Sequence, residues 1–158
     1  MALLETLARW CAALAGVLLT GIALLTCTSI VGREVFGVTV MGDFELSAAA
    51  AGAAIALFMP MCHLRGGNIL VDAFTTRASA ATNATLDRLG ALTIALLMAL
   101  LAWRTAVGAL SAWDNHSASM LMGFPDWVVY AAMVPPFVLT ACIGLWQCMI
   151  GNTQAVKP

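Results

Sequence analysis

Charged side chains are scarce in this chain of 158 residues. They make up 9% of the sequence, compared with about 25% in a typical soluble domain. Hydrophobic residues reach 62%, and the formal net charge at pH 7 is −1. Because there is no excess of lysine and arginine, the composition argues against a nucleic-acid-binding surface. The sequence therefore predicts an integral membrane protein built as a single domain.

The side chains that build redox and metal sites are also few. The five cysteines include no CxxC pair and lie in or beside apolar segments, so we interpret them as small buried hydrophobic residues. A bis-histidine haem needs two rings at matching depth, whereas His63 and His116 fall at opposite faces of the predicted membrane. There is no phosphate-binding glycine motif and no nucleophile–base pair. These absences disfavour an enzyme or a redox subunit and predict no cofactor or metal in this chain.

What the sequence does contain is four long apolar segments, which predict an all-α fold with four transmembrane helices. A membrane-spanning helix needs about 20 apolar residues. The first segment is too long for a signal peptide, whose apolar region has about 7–15 residues, so we expect it to be retained. The predicted helices occupy residues 10–31, 44–63, 86–113 and 126–149.

The basic residues between the helices predict the orientation. Most lie before helix one, between helices two and three, or in the tail, whereas Arg33 stands alone in the connection between helices one and two. Since cytoplasmic loops carry the excess of lysine and arginine, we expect both termini in the cytoplasm. Tryptophans concentrate at both membrane interfaces. Four of them fit as interface anchors, with Trp10 and Trp146 at the cytoplasmic ends and Trp113 and Trp127 at the outer ends.

The segment that begins at Asn68 predicts a short amphipathic helix in the membrane interface. Asn68 is a suitable N-cap. The apolar residues that follow it share one face, and Asp72 lies away from that face. An ordinary polar loop with a few apolar residues is the alternative interpretation.

Two charges lie at the mouth of a predicted span or inside one. Glu45 is at the outer end of helix two, and Arg104 is in the outer third of helix three. A charge in a span is by default a candidate functional residue, because its burial in hydrocarbon is costly. Neither residue reaches the middle of the membrane, so interfacial charges that pair or reach water are the simpler interpretation. Arg33 flanks the same turn as Glu45 and could form an ion pair with it, and Arg104 could compete for the same carboxylate.

Four motifs follow one another in an order and spacing that resemble a known family. They are Arg33-Glu34-Val35-Phe36-Gly37, Asp43-Phe44-Glu45-Leu46, Arg65-Gly66-Gly67-Asn68-Ile69-Leu70-Val71-Asp72, and Gly123-Phe124-Pro125-Asp126-Trp127. Over residues 26–146 the chain resembles the small membrane subunit of tripartite ATP-independent periplasmic (TRAP) transporters, the DctQ-type family. It departs from that pattern at Asn68, where the family often has histidine, and in the spacing of the acidic pair before helix two.

The resemblance implies a division of labour in a bacterial inner membrane. A large DctM-type membrane subunit carries the substrate and sodium sites, and a periplasmic binding protein delivers an organic anion such as a carboxylate or a sialic acid. The small subunit is then a multi-pass scaffold that braces the large one in the lipid bilayer and helps to dock the binding protein.

The motifs also carry expectations for individual residues. By resemblance, Arg33, Asp43 and Glu45 belong to the outer face, where Arg104 is the other candidate for docking or ion pairing. The cytoplasmic turn contains Arg65, Asn68 and Asp72. The main alternative is a small self-sufficient carrier or channel that oligomerises, with Glu45 and Arg104 facing a common pore.

Overall fold

The computed structural model describes residues 2–38, 40–65 and 80–150. These residues form four α-helices, and each is long and apolar enough to cross a membrane. The predicted all-α fold with four membrane-spanning helices is therefore confirmed. The predicted interfacial helix, including Asn68 and Asp72, lies outside the described residues. The helices are α1 (Ala2–Phe36), α2 (Asp43–Leu64), α3 (Ala80–Asp114) and α4 (Asp126–Ile150).

α1 and α3 begin earlier than the apolar segments predicted. The first turns of α1 contain strong helix formers such as leucine, alanine and glutamate, which extend the helix beyond its apolar run. Arg9 Nη2 donates a hydrogen bond of 2.5 Å to Glu5 Oε1 one turn away, which is the favourable spacing for an ion pair on a helix surface. α1 and α3 are therefore both longer than the apolar segments from which they were predicted.

The helices form two hairpins that meet through α2 and α4. α1 packs mainly on α2, α3 packs on α4, and α2 packs on α4. Within the described residues, α3 contacts neither α1 nor α2 along its backbone. A small core lies where the hairpins meet, with Ala56, Ala102 and Phe137 buried together. The spatial order is therefore α1, α2, α4, α3.

The buried and exposed apolar residues divide by size. Nine of the eleven buried hydrophobic residues in the described chain are alanines. Large apolar side chains are instead exposed along the helices, for example Leu97, Leu100 and Trp103 of α3. Since lipid tails are as apolar as leucine, transmembrane helices gain little by burying large side chains and pack closely through small ones. This distribution fits a chain surrounded by lipid.

Candidate functional site

The polar contacts between elements concentrate where the α1–α2 and α3–α4 connections lie. We call this region the loop end; it consists of residues 37, 38, 40–42 and 115–125 and the helix termini beside them. Gly42 precedes α2 with φ of 77°, a left-handed conformation that glycine adopts without strain. A Cβ atom on Gly42 would overlap the Cγ atom of Met122. The two connections are therefore in close contact, and the absence of a side chain at residue 42 permits it.

Asp43 connects the start of α2 to α1. Its Oδ2 atom accepts a hydrogen bond of 2.5 Å from the hydroxyl of Ser29, and its Oδ1 atom accepts one of 2.7 Å from the backbone amide of Phe44. Ser29 is buried in the α1–α2 contact. A buried hydroxyl is costly unless it is hydrogen-bonded, so this bond stabilises the register of the first hairpin.

The loop between α3 and α4 is ordered by hydrogen bonds of its own. The amide of Ser119 donates to the carbonyl of Phe124 at 2.9 Å, and the amide of Phe124 donates to the Ser119 hydroxyl at 3.2 Å. The amide of Gly123 donates to the carbonyl of Ser119 at 3.0 Å, and Gly123 has φ of 65°. Residues 119–124 therefore form a closed turn.

Glu45 joins this turn to α2. The backbone amide of Leu121 donates to Oε1 and Oε2 of Glu45 at 3.3 and 3.2 Å. A carboxylate is an acceptor only, and the Leu121 amide of the turn supplies a donor to it. Glu45 therefore links the two hairpins across 76 residues of sequence.

Neither of the two ion pairs considered for Glu45 is present within the described residues. The carboxylate of Glu45 accepts from the Leu121 amide, and the ion pair of the described chain joins Arg9 and Glu5. Arg33 lies exposed in the last turn of α1, and Arg104 lies exposed on α3. The structure thus brings Asp43 and Glu45 to one end, where Arg33 forms no ion pair with either, and it places Arg104 farther along α3.

The remaining candidates lie elsewhere on the described chain. Trp113 and Trp127 contact each other edge to face, with ring centroids 4.8 Å apart and planes at 78°. This geometry is favourable for aromatic pairs. Trp10 and Trp146 are exposed, as is Arg65, whose amide donates to the carbonyl of Met61 at 3.1 Å after the end of α2.

A cavity of about 220 Å³ opens beside Glu45. The acidic residue Asp126, at the start of α4, lines it together with Glu45, so two carboxylates share one cavity. In the described residues, no three histidine, cysteine or acidic side chains gather as a potential metal site. The other lining residues are Leu46, Ala49, Ser119, Met122, Phe124 and Val129.

Sequence reasoning missed three contributors to this site. Ser29, Ser119 and Leu121 act through a hydroxyl or a backbone amide, and neither group has a distinctive sequence pattern. The one available signal was the polar composition of the α3–α4 connection combined with Gly123, which is typical of a structured turn.

Comparison with known proteins assigns most of the chain to one family. Residues 22–150 match the family model described as "Tripartite ATP-independent periplasmic transporters, DctQ component". No curated protein and no solved structure matches the chain. The matched region contains the loop end and all of α2, α3 and α4, so the resemblance seen in the motifs is confirmed. The chain belongs to the DctQ family, the small membrane subunits of TRAP transporters.

Proposed function

We propose that this chain is the non-transporting scaffold subunit of a sodium-coupled TRAP importer in a bacterial inner membrane. Membership of the DctQ family makes it a multi-pass component of a tripartite transporter. In the proposal it braces a large DctM-type subunit, which binds sodium and an organic anion such as a carboxylate or sialic acid. It also helps to dock the periplasmic binding protein that delivers this anion.

The observation that carries the proposal is the lack of charge along the middle of the helices. In the described spans, no acidic or basic residue occurs between Arg9 and Arg33 of α1 or between Arg88 and Arg104 of α3. α2 has none after Glu45, apart from His63 near its end, and α4 has none after Asp126. A substrate or ion pathway needs polar groups at membrane depth. Their scarcity supports a bracing role, in which the partner subunit would hold the transport sites.

The proposed orientation puts the loop end on the periplasmic face. The basic residues at the helix ends opposite the loop end support cytoplasmic termini by the positive-inside rule. The loop end then offers the binding protein a surface fixed by Asp43 and Glu45 rather than a mobile pair of loops. Bonds that span both hairpins suit a scaffold that must keep its shape while a neighbouring subunit moves.

The first experiment is purification of the tagged chain from its native membrane in mild detergent. We expect a stoichiometric large membrane protein of many spans to co-purify. Reconstitution of both subunits with the binding protein and a sodium gradient should then give substrate uptake, whereas the chain alone should give none. Recovery of this chain alone as a homo-oligomer that conducts substrate in liposomes would contradict the proposal and favour a self-sufficient carrier or channel.

A further inference from the structure

Arg104 is the exception to the scarcity of charge within the described spans. α3 ends at Asp114, and a rise of about 1.5 Å per residue puts Arg104 about 15 Å before that end. The hydrocarbon core of a bilayer is about 30 Å thick, and a basic side chain reaches its polar boundary only from positions near a helix end. Arg104 lies about three turns from the end of α3. Because an unpaired charge in hydrocarbon is costly, its guanidinium needs an acceptor inside the membrane.

The described helices of this chain do not supply that acceptor. Among the described residues, Arg104 takes part in no ion pair or side-chain hydrogen bond, and its side chain is exposed. α3 packs on α4 alone in this part of the chain. Ala95 is buried where α3 meets Gly144 of α4, and Arg104 follows it by about two and a half turns. Arg104 therefore lies on the side of α3 opposite to α4, at the open edge of the bundle.

The surface around Arg104 is apolar and exposed. Leu100, Leu101 and Val107 lie three or four residues from Arg104 on the helix, and all three side chains are exposed. We call these four residues the Arg104 face. Leu14 of α1 is exposed to a similar degree, but its neighbours three and four residues away are all uncharged. Lipid alone suits a surface such as the one around Leu14, and the charge distinguishes the Arg104 face from it.

The chemistry of the missing acceptor fits an acidic side chain on another membrane-spanning helix. The carbonyls of a continuous helix are engaged by its own amides, whereas a carboxylate matches the planar guanidinium with two parallel hydrogen bonds. A second copy of this chain does not provide one at this depth, because the acidic residues of its described part lie at or beyond the ends of the uncharged stretches. They are Glu5, Glu34, Asp43, Glu45, Asp87, Asp114 and Asp126. The acceptor therefore belongs to a different protein.

We propose that the Arg104 face is the contact site for a membrane-spanning helix of a different protein, and that this helix presents an aspartate or glutamate side chain to Arg104 within the hydrocarbon. Apolar residues of that helix pack on Leu100, Leu101 and Val107, and the ion pair fixes its depth and rotation. Only the identity of this protein, the large membrane subunit, rests on the proposed function. Such a pair keeps two helices together because neither charge can be left alone in lipid at low cost.

The first test measures how much large subunit co-purifies with the tagged chain from its native membrane in mild detergent. Arg104→Glu and Arg104→Leu are compared with Arg88→Glu and Arg88→Leu, because Arg88 is an exposed arginine nearer the other end of the same helix. We expect Arg104→Glu to lower co-purification by about tenfold or more, since it sets two carboxylates against each other, and Arg104→Leu to lower it less, since it leaves one carboxylate unpaired. The Arg88 variants should stay within about twofold of the unmodified chain, since exposed charges contribute little.

The second test identifies the acceptor. A photoreactive amino acid in place of Leu100 should crosslink to a membrane-spanning segment that contains an aspartate or glutamate, which mass spectrometry of the joined peptides would identify. The same amino acid in place of Leu14 is the control and should not join to that segment. Exchange of the acidic residue for arginine should restore co-purification of Arg104→Glu, where it re-forms the pair, and not of Arg104→Leu.

The outcomes separate this inference from the proposed function. Unchanged co-purification of Arg104→Glu would overturn the inference, because the guanidinium would then pair with lipid or water, and the scaffold function would stand. A segment crosslinked at Leu100 that has no acidic residue, or that comes from a second copy of this chain, would overturn the inference as well. Failure of the unmodified chain to retain a large subunit would overturn the proposed function instead. The inference is then decided by charge exchange in the protein that crosslinks at Leu100.

Discussion

The loop end and the middle of the helices are held together by different kinds of contact. At the loop end, two carboxylates reach other elements: Asp43 accepts from Ser29, and Glu45 accepts from Leu121. Along the spans, buried alanines bring the helices together. Lipid gives little hydrophobic drive for helices to associate, so small residues supply close contact there, while hydrogen bonds at the membrane boundary can fix which residues face each other. Proximity and register of the helices therefore come from different parts of this chain.

The largest loss of stability is expected from Gly42→Ala, which would disrupt the contact between the two connections at the loop end. The substitution places a Cβ atom in a left-handed conformation, at a cost of about 1–3 kcal/mol, and that atom would also meet Met122. Thermal unfolding of the chain in detergent should show a clear loss of stability. Gly16→Ala is the matched control, since nothing lies within 4 Å of a Cβ atom there. Equal stability of the two variants would contradict the close contact between the connections.

The next largest loss of stability is expected from Gly144→Val, which tests the packing between α3 and α4. A Cβ atom at residue 144 would lie 3.0 Å from the Cβ atom of Ala95 and 3.1 Å from the carbonyl oxygen of Ala91, so α3 and α4 would have to separate. Overpacking of this kind costs about 1–3 kcal/mol. Gly108→Val provides the control on α3, where a Cβ atom has open space. If unfolding in detergent gives the same stability for both variants, the α3–α4 contact is looser than described.

A smaller loss of stability is expected from Ser29→Ala. It removes the hydroxyl that donates to Asp43, and the net value of such a bond is about 1 kcal/mol. Thr28→Ala removes a neighbouring hydroxyl that donates only to the Leu24 carbonyl of its own helix. Chemical unfolding should therefore rank Ser29→Ala below Thr28→Ala in stability. The reverse ranking would show that the α1–α2 register does not depend on the Ser29–Asp43 bond.

The smallest change in stability is expected from Glu45→Ala, because the Leu121 amide is exposed and water can replace the lost carboxylate. Its effect should instead appear in function, as a severalfold fall in substrate uptake by the reconstituted transporter with normal membrane insertion. Glu45→Gln should lose less, since its amide oxygen still accepts a hydrogen bond. Glu34→Ala is an exposed acidic control on α1. If Glu45→Ala leaves uptake unchanged, the loop end does not have the proposed docking role.

The fold was largely predictable because span length and apolar composition are local properties. Four long apolar segments suffice to predict four membrane helices in an all-α protein, and the structure confirms them. The sequence prediction started α1 and α3 too late. It placed each start where the apolar run begins, whereas polar residues can extend a helix beyond that run. Residues such as Glu5 and Arg9 are polar and also good helix formers.

The site was only partly predictable. Asp43 and Glu45 were identified as outer-face candidates because they are acidic residues beside a span, and the structure gathers both at the loop end. The partner of Glu45 was not predictable, because every residue except proline has a backbone amide and the side chain does not mark the donor. The Leu121 amide reaches Glu45 only when its turn is packed against α2. Charge alone favoured Arg33 or Arg104, and the packing of the two hairpins decided otherwise.

The unequal helix lengths have a consequence for the membrane itself. α1 and α3 each have 35 residues, whereas α2 has 22 and α4 has 25. At a rise of about 1.5 Å per residue, the shorter helices measure about 33 and 37 Å, close to the hydrocarbon thickness of about 30 Å. Because the hairpins meet at the loop end, the surplus of α1 and α3, about 15–20 Å, emerges at the other face. These surplus turns carry Glu5 and Arg9 on α1 and Asp87 and Arg88 on α3, so they belong outside the hydrocarbon and add a helical surface at that face.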